Sequence, residues 1–209
     1  MSRYARAERH ALADLMLTLG PDAPTLNEGW STRDLAAHLV VRERRPDAAG
    51  GILLPPLRGY AERVRLRLAG QPWAELVAQV RRPPVWSPLS NPLTDELVNT
   101  MEFFIHHEDV RRASPDWQPR ELSAGLQGAL WKRVAPLGRL ALRRFPAALL
   151  VQAPGHGEFR CGRGGEPLRV VGPPSELTIF LSGRQRAARA QLDGAAALVE
   201  RLRAAPLGF

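Results

Sequence analysis

Met101-Glu102-Phe103-Phe104-Ile105-His106-His107-Glu108-Asp109-Val110 is the stretch on which the reading of this chain turns. As part of a helix running from an N-cap at Thr94 to about Ala113, it places Glu102 and His106 about 40° apart around the axis and Asp109 about 20° from Glu102. His107 is rotated about 100° away from His106. A Glu-x-x-x-His pair supplies one carboxylate and one imidazole, and a mononuclear metal site needs a third donor from elsewhere. His38 is the candidate. It sits mid-helix in Asp34-Leu35-Ala36-Ala37-His38-Leu39-Val40, among small and apolar neighbours, where an unpaired imidazole is costly. Two His and one Glu with an open fourth position form a catalytic zinc pattern, and Asp109 would then orient a ligand imidazole. By spacing alone, a buried histidine hydrogen-bonded to a glutamate is the commoner arrangement.

The remaining pattern is helical as far as residue 144. Leu12, Leu15, Met16 and Leu19 follow the i, i+3, i+4, i+7 spacing of an amphipathic helix that Gly20-Pro21 stops. Ser31 and Asp34 form a capping box for a helix from Thr32 to about Arg44, which Pro46 and Gly50-Gly51 end. Residues 59–69 and 72–82 read as two short helices, and Ser123 caps a long one reaching about Arg144 with a kink at Pro136. After Phe145-Pro146 the period changes. Residues 147–153, 158–161, 168–171 and 188–192 read as strands, Ser175 caps a helix over 176–181, and a final amphipathic helix carries Leu198, Val199 and Leu202. The expectation is a mainly α protein, with a helical bundle over 1–144 and a small α+β domain over 145–209.

Composition narrows the function classes. Of 29 cationic residues all but Lys132 are Arg, and the formal charge is +8. The Args are spread over nearly every helix, beside Glu or Asp, without an RNP-type aromatic motif, zinc-finger spacing or Gly-rich phosphate loop, which argues against an Arg-rich nucleic-acid binder. No apolar run is long enough to span a bilayer, and the N-terminus lacks a signal-peptide core, which predicts a cytoplasmic protein with no membrane partner. The one cysteine, Cys161, excludes an internal disulfide framework. Its neighbours Arg160 and Arg163 would lower its thiol pKa, although a lone Cys without a His motif is more often inert.

Glu28-Gly29-Trp30-Ser31-Thr32-Arg33-Asp34-Leu35-Ala36-Ala37-His38-Leu39 resembles the first signature of mycothiol-dependent maleylpyruvate isomerase N-terminal domains. Glu102-x-x-x-His106-x-x-Asp109 resembles their second. These domains belong to the DinB/YfiT-like superfamily of metal-binding four-helix bundles, and the resemblance extends over roughly residues 5–145. The tail from Val171 to Gly194 is similar to the sterol-carrier-like domain that accompanies them. The chain most resembles an actinobacterial branch described only as metal-binding. The resemblance implies an up-and-down four-helix bundle, His38, Glu102 and His106 as ligands of a divalent metal, zinc first, and Asp109 and Trp30 as supporting residues. It further implies mycothiol or another small thiol as cosubstrate, an electrophilic or acidic substrate, and isomerase or S-transferase chemistry. Arg42, Arg111 and Arg112 are the sequence candidates for neutralising carboxylates of thiol or substrate, and Arg184 is either a further anion contact or a helix C-cap cation. The stretch Val41–Asp47 departs from the isomerases. A non-catalytic metal-binding module is the alternative, with a fourth ligand from His107, Asp109 or His10. A monomer or homodimer is expected.

Overall fold

The computed structural model describes residues 3–87, 89–91 and 95–208, so the N-cap expected at Thr94 lies outside the described residues. The chain divides into two compact units, residues 1–118 and 119–209.

The first unit is helical: α1 (Arg3–Leu19), α2 (Thr32–Arg44), α3 (Pro46–Leu53), α4 (Arg58–Ala69), α5 (Trp73–Arg81) and α6 (Asp95–Arg111). Helix α1 packs on α5 and α6, and α2 on α3, α4 and α5. Leu12 and Met16 of α1, Leu35 and Leu39 of α2, Leu76 and Val80 of α5 and Phe103 of α6 form one buried apolar cluster, whose removal from water is the main stabilising contribution. Helix α2 starts where the capping box says. Asp34 N–H donates to Ser31 Oγ, and Ser31 N–H donates to Asp34 Oδ2 at 3.0 Å. The loop before it turns tightly, with Trp30 N–H donating to Asn27 O across Gly29, whose φ of +76° favours glycine. Helix α3 was not expected. Pro46 ends α2 but stands at the first position of a new helix, where its missing N–H costs nothing and its fixed φ suits the turn.

The interior of this unit also holds charge. Arg9 is fully buried and makes a bidentate pair with Glu43, at 2.6 Å and 2.5 Å, while donating to Val80 O at 3.0 Å. Its guanidinium lies 3.9 Å from the centre of the Phe103 ring. Ser90 Oγ and Asn99 Nδ2 donate to Glu43 Oε1, at 2.6 Å and 3.3 Å.

The second unit contains α7 (Ala124–Leu142), β1 (Ala148–Ala153), β2 (Gly157–Cys161), β3 (Pro167–Val171), α8 (Pro174–Leu181), β4 (Gln191–Gly194) and α9 (Ala196–Arg203). The sheet order is β2-β1-β3-β4, with β1 and β3 parallel and the outer pairs antiparallel. The expected division at 144/145 is therefore displaced to 118/119. The reason is packing: Val134 and Leu142 of α7 are buried with Leu149, Val151, Phe159, Leu177 and Phe180. Between them Gly138 lets Leu181 and Phe159 approach so closely that a Cβ there would lie 2.6 Å and 3.0 Å from them. The change from helical to strand period marks a change of secondary structure inside this unit. Two local expectations also shift. Helix α8 is entered through Pro173-Pro174, and Ser175 N–H instead donates to the Gln127 side chain at 2.9 Å. The last strand begins at Gln191 rather than 188. Among the described residues no helix is long and apolar enough to cross a membrane.

Replacing Arg9 by Met removes the cation that compensates a carboxylate buried to 2 % exposure. Loss of one partner of such a pair costs about 3–5 kcal/mol, so Arg9→Met is expected to lower the urea unfolding midpoint sharply.

Candidate metal centre

Helix α6 carries a polar stripe, Asp95, Asn99, Glu102, His106 and Asp109, at alternating spacings of four and three residues. That spacing keeps a line of side chains on one face of a helix. Opposite it, α2 presents His38 and, one turn later, Arg42. Glu102 Oε1 lies 3.2 Å from His106 Nε2, 3.8 Å from His38 Nε2 and 3.2 Å from Arg42 Nε. The two imidazoles meet edge-on with centroids 5.4 Å apart. One donor atom from each of His38, Glu102 and His106 lies within 4.8 Å of the others, so the three sequence candidates are brought together. Among the described residues no fourth His, Cys, Asp or Glu joins this group.

The surroundings orient the donors. His106 Nδ1 faces Asp109 Oδ2 at 2.9 Å, which leaves Nε2 as the nitrogen turned toward Glu102. Asp109 is fully buried and is itself held by Asn27 Nδ2 at 3.3 Å, while its carbonyl accepts from Leu26 N–H at 3.0 Å. The loop before α2 is thereby tied to the C-terminal part of α6. The Trp30 ring leans over His38 at 5.3 Å. Beside His38 lies a cavity of about 380 Å³, whose lining includes Trp30, Val41, Arg58, Glu62 and Arg65. Arg65 is committed to Glu62, at 2.8 Å and 2.7 Å, and to Asp34 at 2.5 Å, which leaves the exposed Arg58 as the cation nearest to free at its mouth.

Protonation follows from these contacts. Burial disfavours the charged form of His106, but hydrogen bonds to Asp109 and Glu102 outweigh it and hold its pKa up to about 9. For His38, burial prevails over the Glu102 contact and pushes the pKa down, aided by the positive charges of His106 and Arg42. Burial would raise the Glu102 carboxyl, yet its contacts with His106 and His38 and the charge of Arg42 hold it well below the usual range. A carboxylate, a neutral imidazole and an imidazolium with one nitrogen already bound to a carboxylate make a donor set that fits a divalent ion once the Nε2 proton leaves.

Other candidates lie elsewhere. Arg111 and Arg112 both bind Glu108, at 3.0 Å and 2.6 Å, which is about 120° around α6 from Glu102. Arg112 also stacks on Trp117. Arg184 belongs to the second unit and donates to Ser182 O at 2.6 Å, the helix-end reading. His107 turns to Glu8, with Nδ1 and Oε2 2.9 Å apart, and His10 is exposed. Cys161 accords with the inert reading: burial pushes its thiol up to about 11 despite the nearby Arg139. Asn99 and Asn27 were missed by the sequence reading. The four-three spacing from Asp95 to Asp109 was the available signal for Asn99. Asn27, remote in sequence from Asp109, had none.

Comparison with known proteins gives one fold. A crystal structure of the mycothiol-dependent maleylpyruvate isomerase matches with a TM-score of 0.53 and 18% identity, covering 92% of this chain and 92% of that one. The chain has the fold of that enzyme. A histidine-to-alanine mutant of the same enzyme matches with a TM-score of 0.52, 17% identity and 92% coverage of each chain. No protein-family model matches, and no curated protein matches.

Because His106 holds its proton up to a pKa of about 9, a divalent ion such as Zn²⁺ taken up at its Nε2 would have to displace that proton. The expected outcome is about one proton released per ion below that pH, with apparent affinity rising as pH rises and levelling off above it. Calorimetry in buffers of differing ionisation enthalpy gives the proton count.

Proposed function

We propose that this chain is a divalent-metal-binding enzyme that uses a low-molecular-weight thiol, of isomerase or S-transferase type. The observation that carries the reading is the convergence of His38, Glu102 and His106 donors within 4.8 Å, with His106 Nδ1 already occupied by Asp109. Three protein donors and an open position distinguish catalytic zinc sites from closed structural ones. The residues would hold zinc or a similar ion, which when bound supplies a Lewis-acid position that favours a thiol in its thiolate form at neutral pH.

The protein's own part is positioning. Asp109 fixes which His106 nitrogen faces inward, and its buried hydrogen bond to Asn27 keeps it there. Trp30 restricts the His38 ring and forms one wall of the adjoining cavity. That cavity has the volume of a small-molecule site, and Arg58 at its mouth suits an acidic group on the thiol or the electrophile. The likeness to a mycothiol-dependent maleylpyruvate isomerase supports mycothiol as the thiol and an unsaturated diacid as one substrate class, and the sequence resemblance carries the DinB-like first unit and sterol-carrier-like second unit of this reading.

Purified protein is expected to carry one equivalent of divalent metal by elemental analysis, and His38→Ala to lose it while remaining helical. Unchanged metal in that variant would refute the ligand assignment. Asp109→Asn should retain the site but bind metal about 10–100-fold more weakly, the effect seen when a ligand imidazole loses its supporting carboxylate.

A further inference from the structure

Arg42, half-buried on α2 one turn after His38, touches the centre. Its Nε lies 3.2 Å from Glu102 Oε1, the same oxygen that faces both imidazoles. Its NH1 donates to Asn99 Oδ1 at 2.6 Å. Asn99 is fully buried, and its amide in turn donates to Leu89 O at 2.6 Å, Asp95 Oδ1 at 2.8 Å and Glu43 Oε1 at 3.3 Å. Glu43 is locked to Arg9. The guanidinium is therefore held by Glu102 at Nε and by the buried Asn99 at NH1, which opposes a swing toward a substrate carboxylate, the role its position in the sequence suggested. It stays beside a metal-ligand oxygen.

We infer that Arg42 is a positioning residue that sets which exogenous ligand the centre accepts, favouring an anion of the thiolate or carboxylate class over water at the expense of metal affinity. This rests on the metal-centre reading above. A guanidinium 3.2 Å from Glu102 Oε1 draws on the electron density that the oxygen would give to an ion, which weakens the ion's hold. It also cancels the charge of Glu102. With Arg42 in place a divalent ion keeps its full charge for an incoming anion, and without it Glu102 has already neutralised half. Glu102, His38, His106 and Arg42 keep between 11 % and 27 % of their side-chain surface exposed, so such charge effects are partly screened but persist at this range. A residue with only a structural role would lower both affinities when removed, whereas Arg42 moves them in opposite directions.

The test uses Co²⁺ as the metal and 2-mercaptoethanol as the thiol, on the full chain. Competition with a chromophoric chelator gives metal affinity, and the sulfur-to-cobalt charge-transfer band gives thiolate binding. Arg42→Met is expected to bind Co²⁺ about tenfold more tightly and the thiol about tenfold more weakly, the scale of one modestly screened charge. Arg42→Lys, which keeps the charge, should restore both toward the wild-type values. Arg42→Gln keeps a donor without the charge and must behave like Arg42→Met, so it serves if the Met variant does not fold. Parallel losses of both affinities, or no change in either, would overturn the inference. Wild-type protein that takes up no Co²⁺ would overturn the metal reading and this inference together, whereas wild type that binds both ligands with unshifted neutral variants would overturn this inference alone.

Discussion

A single carboxylate oxygen, Glu102 Oε1, is the point at which the polar side chains of α2 and α6 converge. A carboxylate removed from water costs several kcal/mol unless nearby groups replace its hydration. Here His106, His38 and Arg42 all approach that oxygen within 3.8 Å. Each of those three is fixed by a further contact: His106 by Asp109, His38 by the Trp30 ring, and Arg42 by Asn99. The arrangement brings α2, α6 and the loop before α2 into register, because Asp109 also holds Asn27 and its carbonyl accepts from Leu26.

The same helix face carries a second buried system. Asp95 and Asn99 stand before Glu102 on the α6 stripe, and they meet Arg9 from α1 and Glu43 from α2. Arg42 and Glu43 are neighbours in sequence yet serve different clusters, and Asn99 contacts both. The centre and the Arg9–Glu43 pair are thus one continuous network. Buried ion pairs of this kind are weak evidence for stability. The apolar cluster of α1, α2, α5 and α6 must hold the fold, and the polar stripe spends part of that stability on placing charge where chemistry would use it.

Much of this was legible in the sequence because it is local. Ser31 and Asp34, three residues apart, form a capping box with hydrogen bonds that the helix start itself requires. Glu102, His106 and Asp109 share a face by helical geometry alone. His38 was marked by its apolar surroundings. What was hidden depends on tertiary pairing. Pro46 reads as a stop signal and also begins α3, since the same residue suits both a helix end and a first turn. Val134, Gly138 and Leu142 would suit either unit, and only their contacts with Phe159 and Leu181 place α7 on the sheet. Arg42, Arg111 and Arg112 are indistinguishable as residue types. Glu108 takes two of them and Glu102 the third. Cys161 has adjacent cations in sequence, but burial governs its thiol, as the inert reading required.

In this account the first unit holds a small set of His and Glu donors in place, and the proposed role of Arg42 is to tune them. The most direct measurement is X-ray absorption at the metal edge of zinc-loaded protein, recorded before and after addition of a small thiol. The account predicts imidazole scattering from two histidines with light-atom ligands beside them, and a sulfur scatterer at about 2.3 Å once thiol is present. A shell without imidazole scattering, or one that thiol leaves unchanged, would contradict it.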